Sequence, residues 1–446
     1  MDSKGPDHDN FIDRKGNGDV GFTGKRRISI IAACAGAAAV AGGLQLSSSA
    51  FGTDDNEPGD RHRPVAAAPH SEDFGVSDTD GTAFKDGVMP VKTSGVRGMA
   101  AATPPHGEGW KLAGPRKSLS TGYTIRFYDQ KSVDWLGRYV KAAATDLRRI
   151  TNLPINVDTK PVGWDHVRPK GEVVIGVLKR PCVPPKDGGQ HGWKVVRDGS
   201  GSKNLSCGLI ASSVPDTVTS GHAYIDSEFF TSAGKPLPSR GETRMRNHIS
   251  HELGHTMGLT HANRSPERGD CAVAGDSQEM PVLCSPAGGY RDSRAGTYVQ
   301  QFDVQGLRRL AKGAGAAVSP QGKVTGLGGK CLDVKAGNPA NGTQIQLYRC
   351  NGSATQSWIL DRDGTFHALG KCLDNAHNAT ADGNKIQLSD CNGGASQRWS
   401  VNAKGQIVHV ASGKVLDVTG GRTTDGTKIQ LHSANSYQRQ VWVAPK

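Results

Sequence analysis

Residues 329–358 read GKCLDVKAGNPANGTQIQLYRCNGSATQSW, and the pattern returns as GKCLDNAHNATADGNKIQLSDCNGGASQRW at 370–399 and GKVLDVTGGRTTDGTKIQLHSANSYQRQVW at 413–442. Equivalent Leu-Asp pairs carry Asp333, Asp374 and Asp417, and each unit closes on Gln-x-Trp. A period of about 40 residues with few helix formers describes short strands in units that cannot bury their apolar sides alone, so three units must close one core. Trp358, Trp399 and Trp442 recur at one repeat position and are assigned to that core. Cys331 and Cys350 share a unit, as do Cys372 and Cys391, while the third unit has Val415 and Ala434 at both places. Their joint loss predicts one disulfide inside each of the first two units.

This segment resembles the ricin B-type lectins, and the resemblance implies an all-β β-trefoil over 320–446 that binds carbohydrate. A carboxylate would accept hydrogen bonds from sugar hydroxyls while an aromatic ring covers the apolar sugar face. By resemblance the first unit offers Asp333, Gln346, Tyr348 and Gln356, and the third Asp417, Gln430, His432 and Gln440. The second has Asp374, Gln387 and Gln397 but Ser389 where a stacking ring belongs. The family often has Asn before the last Gln, where Thr355, Ser396 and Arg439 stand here. A galactose- or pentose-type glycan is the expected ligand.

Upstream, over 119–316, the texture differs. TIRFYD, PINVDT, GEVVIGVL and GHAYIDSEFF have strand character, DWLGRYVKAAATDLRRITN is an amphipathic helix, and together they predict an α+β domain. A second helical stretch, ETRMRNHISHELGHTMG, carries His251-Glu252-Leu253-Gly254-His255, followed by Gly258 and His261. Positions four apart share a helix face, so both imidazoles can reach one ion with Glu252 beside it. Gly258 can take positive φ, end the helix and return His261 to the same ion. Three neutral nitrogens leave a fourth position for water.

HELGHTMGLTH resembles the HExxHxxGxxH signature of the metzincin zinc endopeptidases. That resemblance implies Zn²⁺ held by His251, His255 and His261, with Glu252 as catalytic base and Met280 in a turn beneath the metal. Cys271 and Cys284 flank Met280, which is similar to the snapalysins, a secreted group that normally has Asp where His261 stands. Tyr290 lies too far past Met280 for the oxyanion-stabilising Tyr of some metzincins, and His248 reads as a supporting or exposed residue. Cys182, Cys207, Cys271 and Cys284 allow three connectivities, of which the nearest-neighbour pairing is expected.

Lys25-Arg26-Arg27 precede an uncharged stretch from Ile28 to about Leu46 that passes into Ser48-Ser49-Ala50, the layout of an export leader over 1–50. Sec and Tat routes both fit, and an uncleaved anchor or a lipobox ending at Cys34 are the rivals. Removing Cys34 turns nine Cys into eight, an even number suited to an oxidising compartment and a secreted protein. Residues 51–118, rich in Gly, Pro, Asp and Ala, read as a disordered linker or pro-segment. The net charge of +12 is spread as −1 over 1–118, +7 over 119–318 and +6 over 319–446, without a Lys/Arg block that would mark a nucleic-acid face. No stable membrane insertion is expected after leader removal.

The expected function is a secreted zinc endopeptidase acting on protein or glycoprotein and targeted to glycans by its lectin module. The alternative is a lectin or adhesin whose zinc domain is non-catalytic. A glycosidase fits least, because its chemistry uses two carboxylates about 5–10 Å apart and no such pair is identifiable.

Overall fold

The computed structural model describes residues 106–446, apart from 185–192, 266–268, 275–277 and 287, and the backbone of the strand Val88–Pro90. The leader expected over 1–50 and most of the linker expected over 51–118 lie outside the described residues.

Residues 123–313 form an α+β arrangement. Its strands are β1 (Tyr123–Phe127), β2 (Ile155–Val157), β3 (Glu172–Leu178), β4 (Cys207–Ala211) and β5 (Ser220–Asp226), and its helices α1 (Gln130–Thr151), α2 (Gly241–Thr256) and α3 (Asp303–Gly313). The sheet order is β2-β1-β3-β5-β4, with β4 antiparallel to β5 and the other neighbours parallel. β3 is apolar but for Glu172, β5 mixes apolar residues with Ser220, His222 and Asp226, and both are buried nearly end to end, as a parallel strand covered on both faces requires. α1 turns Leu136, Tyr139, Val140, Ala143, Leu147 and Ile150 inward, one stripe at helical spacing. Asp129 caps its start by accepting from Ser132 N at 2.7 Å, and Asn152 at φ 53° ends it.

The segment 106–118 corrects the expected linker. Trp110–Leu112 pairs antiparallel with His106–Gly107 on one side and Leu259–Thr260 on the other, and Leu112 is fully buried. Val88–Pro90 also pairs, with Lys194–Val196. Each strand is only three residues long, too short to show a period, and its partner lies far along the chain.

Residues 321–443 build the three-fold all-β unit. Strands Cys331–Val334, Lys371–Asn375 and Val415–Val418 pair with Thr343–Tyr348, Asn384–Ser389 and Thr427–His432, setting Asp333 opposite Gln346, Asp374 opposite Gln387 and Asp417 opposite Gln430. Trp358, Trp399 and Trp442 are buried in the shared core. Each indole Nε1 donates to the backbone oxygen of the Leu preceding the repeat's Asp, at 2.8, 3.0 and 3.1 Å. Disulfides join Cys331–Cys350, Cys372–Cys391, Cys182–Cys207 and Cys271–Cys284.

The two folded parts are in contact. Gln300 donates to Ser357 O at 3.0 Å and accepts from Gly370 N at 3.0 Å, while Arg149 pairs with Asp361 at 3.3 Å. Arg294 donates to Leu369 O at 2.6 Å. Tyr290, fully buried, lies where a side chain on Gly370 would come within 2.6 Å of its hydroxyl. Among the described residues no helix is long and apolar enough to cross a membrane.

Candidate functional sites

α2 puts His251 and His255 one turn apart, and Gly258 at φ 106° reverses the chain so that His261 faces them. The Nε2 atoms of His251 and His261 are 3.1 Å apart, as are those of His251 and His255. His251 Nδ1 lies 2.7 Å from Val282 O, and His255 Nδ1 lies 3.0 Å from Leu259 O. A carbonyl only accepts, so both Nδ1 atoms carry the proton and both Nε2 atoms present lone pairs. Lone pairs this close repel unless a cation sits between them. Zinc–nitrogen bonds of about 2.05 Å in a tetrahedron would set the nitrogens about 3.3 Å apart, so the donor set fits that ion.

Glu252 shares this corner. Its carboxyl is buried, and Oε2 has no hydrogen-bond partner among the described residues. Burial pushes its pKa up to about 8, partly opposed by a hydrogen bond with the Gly208 backbone. Burial likewise holds His255 neutral. His248 sits one turn earlier, 2.8 Å from Ser206 Oγ and 4.0 Å from Glu252 Oε1, edge-on to Phe229. Met280 packs its sulfur 3.9 Å from Cys284 Sγ, and the carbonyl that orients His251 comes two residues later, from Val282. Tyr290 accepts from Gln300 N at 3.1 Å beside the trefoil.

Two residues that hold this centre carry no motif. Asp303, at the first turn of α3, accepts from Val282 N at 2.7 Å, Leu283 N at 3.1 Å and Val299 N at 3.1 Å, fixing the turn that orients His251. Gly208 on β4 lets the strand pass directly under α2: a Cβ there would lie 2.3 Å from Glu252 O and 2.8 Å from His255 Cβ. An acidic residue in a helix's first turn was the only sequence signal for the former, and an ordinary Gly among 59 the only one for the latter.

In the trefoil, Asp333 Oδ1 accepts from Gln346 at 2.8 Å, and Oδ2 accepts from Thr355 at 2.8 Å and Gln356 at 3.1 Å. Asp374 repeats the set with Gln387 at 2.9 Å, Ser396 at 2.8 Å and Gln397 at 3.1 Å. Asp417 accepts from Gln430 at 3.0 Å, Gln440 at 2.9 Å and Arg439 Nε at 2.9 Å. Gln356 and Gln440 are buried and hold their carboxylates from behind, each also donating to a backbone oxygen. Tyr348 and His432 are half-buried at the ends of their strands.

Residues 320–442 match the ricin-type beta-trefoil lectin domain. Among solved structures, the chain is similar to a designed three-fold symmetric protein, ThreeFoil, at 30% identity over 27% of this chain and 95% of that one, with a TM-score of 0.26. It is similar to the agglutinin from Abrus precatorius at 27% identity over 29% of this chain and 49% of that one, TM-score 0.27, so it spans about half of that protein's length. A non-toxic homologue of type II RIPs from Momordica charantia (bitter gourd), in complex with alpha-methyl-D-galactoside, is 25% identical over 28% of this chain and 48% of that one, TM-score 0.26. No curated protein matches the chain. With the three-fold registers and the buried Trp triplet, the family match makes residues 320–442 a ricin B-type lectin β-trefoil domain.

Proposed function

We propose that the chain is an exported zinc endopeptidase whose lectin domain holds it on glycan-bearing protein. The observation that carries the peptidase reading is the convergence of three imidazoles beside a buried carboxyl whose Oε2 is unpartnered. His251, His255 and His261 would hold a zinc ion, which would supply Lewis-acid polarisation of a peptide carbonyl and a lowered pKa for water. Glu252 would accept a proton from water on Oε2 and return it to the departing amine. His251 and His255 keep their protons on Nδ1, so their rings hold orientation through turnover. On the lectin side, the bitter gourd protein's galactoside complex supports a galactose-type ligand for the first pocket, where Tyr348 borders Asp333. Holding the enzyme on its substrate surface raises effective concentration without altering the catalytic groups.

Casein cleavage by the purified full chain tests the reading. Chelation should abolish cleavage and one equivalent of zinc should restore it. Cleavage indifferent to the chelator ends the proposal, and full zinc occupancy without hydrolysis of a broad peptide library favours a lectin with a non-catalytic zinc domain.

Asp303→Asn supplies a second measurement. It would put an amide N–H₂ against the backbone N–H groups of both Val282 and Val299, or in the flipped rotamer against that of Leu283, loosening the turn behind His251. Zinc affinity, read by chelator competition, is expected to fall about 10- to 100-fold. Unchanged affinity would remove Asp303 from the support of the site.

A further inference from the structure

The third trefoil pocket differs from the first two in the sign of its lining. Thr355 and Ser396 place neutral hydroxyls on Asp333 and Asp374, whereas Arg439 places a guanidinium on Asp417. Asp417 is fully covered, while Asp333 and Asp374 keep 4% and 5% exposure. Only Nε of Arg439 is used in this contact, and among the described residues its Nη nitrogens have no hydrogen-bond partner. The same side chain stays 27% exposed and lies 4.8 Å from the ring of the exposed Tyr437. Ser353 and Gly394 stand at the positions equivalent to Tyr437.

A second cation borders the pocket. Side chains built on Gly421 and Gly420 would lie 3.6 Å from Arg439 Cδ and 3.7 Å from Arg422 Nε, so the two arginines flank one turn. Arg422 is exposed, and Asn338 and Ala379 replace it in the other repeats. Asp382, beside the strand end that carries His432, is held by Lys414 at 2.6 Å and by Ser433. His432 lies 3.7 Å from that carboxylate. Arg349, beside the first pocket, is neutralised by Asp425 at 2.8 Å. The third pocket therefore offers guanidinium donors where the first offers a carboxylate acceptor.

We propose that the pocket of Asp417, Arg439, Arg422 and Tyr437 takes an acidic sugar, one bearing a carboxylate or a sulfate, while the first pocket takes a neutral one. This rests on the carbohydrate-binding reading of the trefoil. A guanidinium fork matches both oxyanions bidentately, and the exposed ring of Tyr437 supplies a face for the sugar.

Calorimetry on the full chain with a neutral galacto-oligosaccharide, an oligogalacturonate and a sulfated oligosaccharide tests this. Arg439→Thr, which installs the first repeat's residue, is expected to weaken acidic ligands at least about tenfold while neutral binding stays. Asp333→Ala should do the reverse. Arg439→Lys keeps the charge but removes the fork, and should restore little of the loss. Full rescue by Lys, or acidic affinity unchanged in Arg439→Thr, assigns the binding to the diffuse +12 charge and overturns the proposal. Neutral binding without any acidic binding overturns it and leaves the lectin reading intact, whereas no binding to any saccharide overturns both. Preference for the uronate over the sulfated ligand identifies carboxylate as the group read, and the opposite preference identifies sulfate.

Discussion

Glu252→Gln is expected to lower kcat for peptide hydrolysis by on the order of 10²- to 10⁴-fold while the chain still binds one zinc ion. Gln has the shape of Glu, so α2 and its contact with Gly208 are preserved, and both imidazole Nδ1 contacts lie outside the change. What is lost is the ability to accept a proton. The wild-type carboxyl is placed for that task, being buried with no hydrogen-bond partner on Oε2 among the described residues. An amide has no comparable basicity in any environment. The measurement is kcat on a fluorogenic peptide, with metal content determined on the same sample. A rate within tenfold of wild type would place the base elsewhere, and His248, 4.0 Å away, would be the first to test in its place. Loss of metal together with activity would instead mean that Glu252 acts through the fold of the site.

What could be read from the sequence was what is local or periodic. The three repeats announced a three-fold β core and the burial of Trp358, Trp399 and Trp442, since identical positions in a symmetric fold share one environment. The pairing of Cys331 with Cys350 was legible because the third repeat lost both partners together. The juxtaposition of His251 and His255 followed from helix geometry alone, and that of His261 from the freedom of Gly258. Illegible features join residues distant in sequence without periodicity. Trp110–Leu112 becomes a strand only because Leu259–Thr260 gives it an edge to pair with. Tyr290, weighed for an oxyanion role, is a packing residue at the trefoil, because Gly370 leaves room for its ring there. The support behind the motif was similarly hidden: Asp303 reaches His251 through the backbone of Val282 and Leu283. The pockets mix the two cases. Repeat alignment located Asp417 and Gln440, but that Arg439 covers Asp417 depends on side-chain direction, which spacing does not encode.

Gly208→Ala should destabilise the α+β part and weaken zinc binding by about 5- to 150-fold, although it adds a single methyl group outside every motif. The added Cβ would lie 2.3 Å from Glu252 O and 2.8 Å from His255 Cβ, closer than carbon tolerates to either atom. Neither partner can yield cheaply. β4 is pinned by the Cys182–Cys207 disulfide and by its register with β5, from Ser220↔Ala211 to Tyr224↔Cys207. α2 is pinned on the same side by Gly221, where a Cβ would lie 2.8 Å from that of Thr256, and on the opposite side by Leu283 against Gly254. The strain therefore falls on the helix segment bearing Glu252 and His255, at about 1–3 kcal/mol for the overpacking itself. A shift there separates His255 from His251 and His261, and metal affinity depends on all three. The control is Gly137→Ala, in α1, where a Cβ meets nothing within 4 Å and the helix should gain about 0.5–1 kcal/mol. Thermal unfolding and zinc titration of the two variants separate the cases. If Gly208→Ala binds zinc like wild type, the contact between β4 and α2 does not set the ligand geometry, and the support of His255 must come from Leu259 alone.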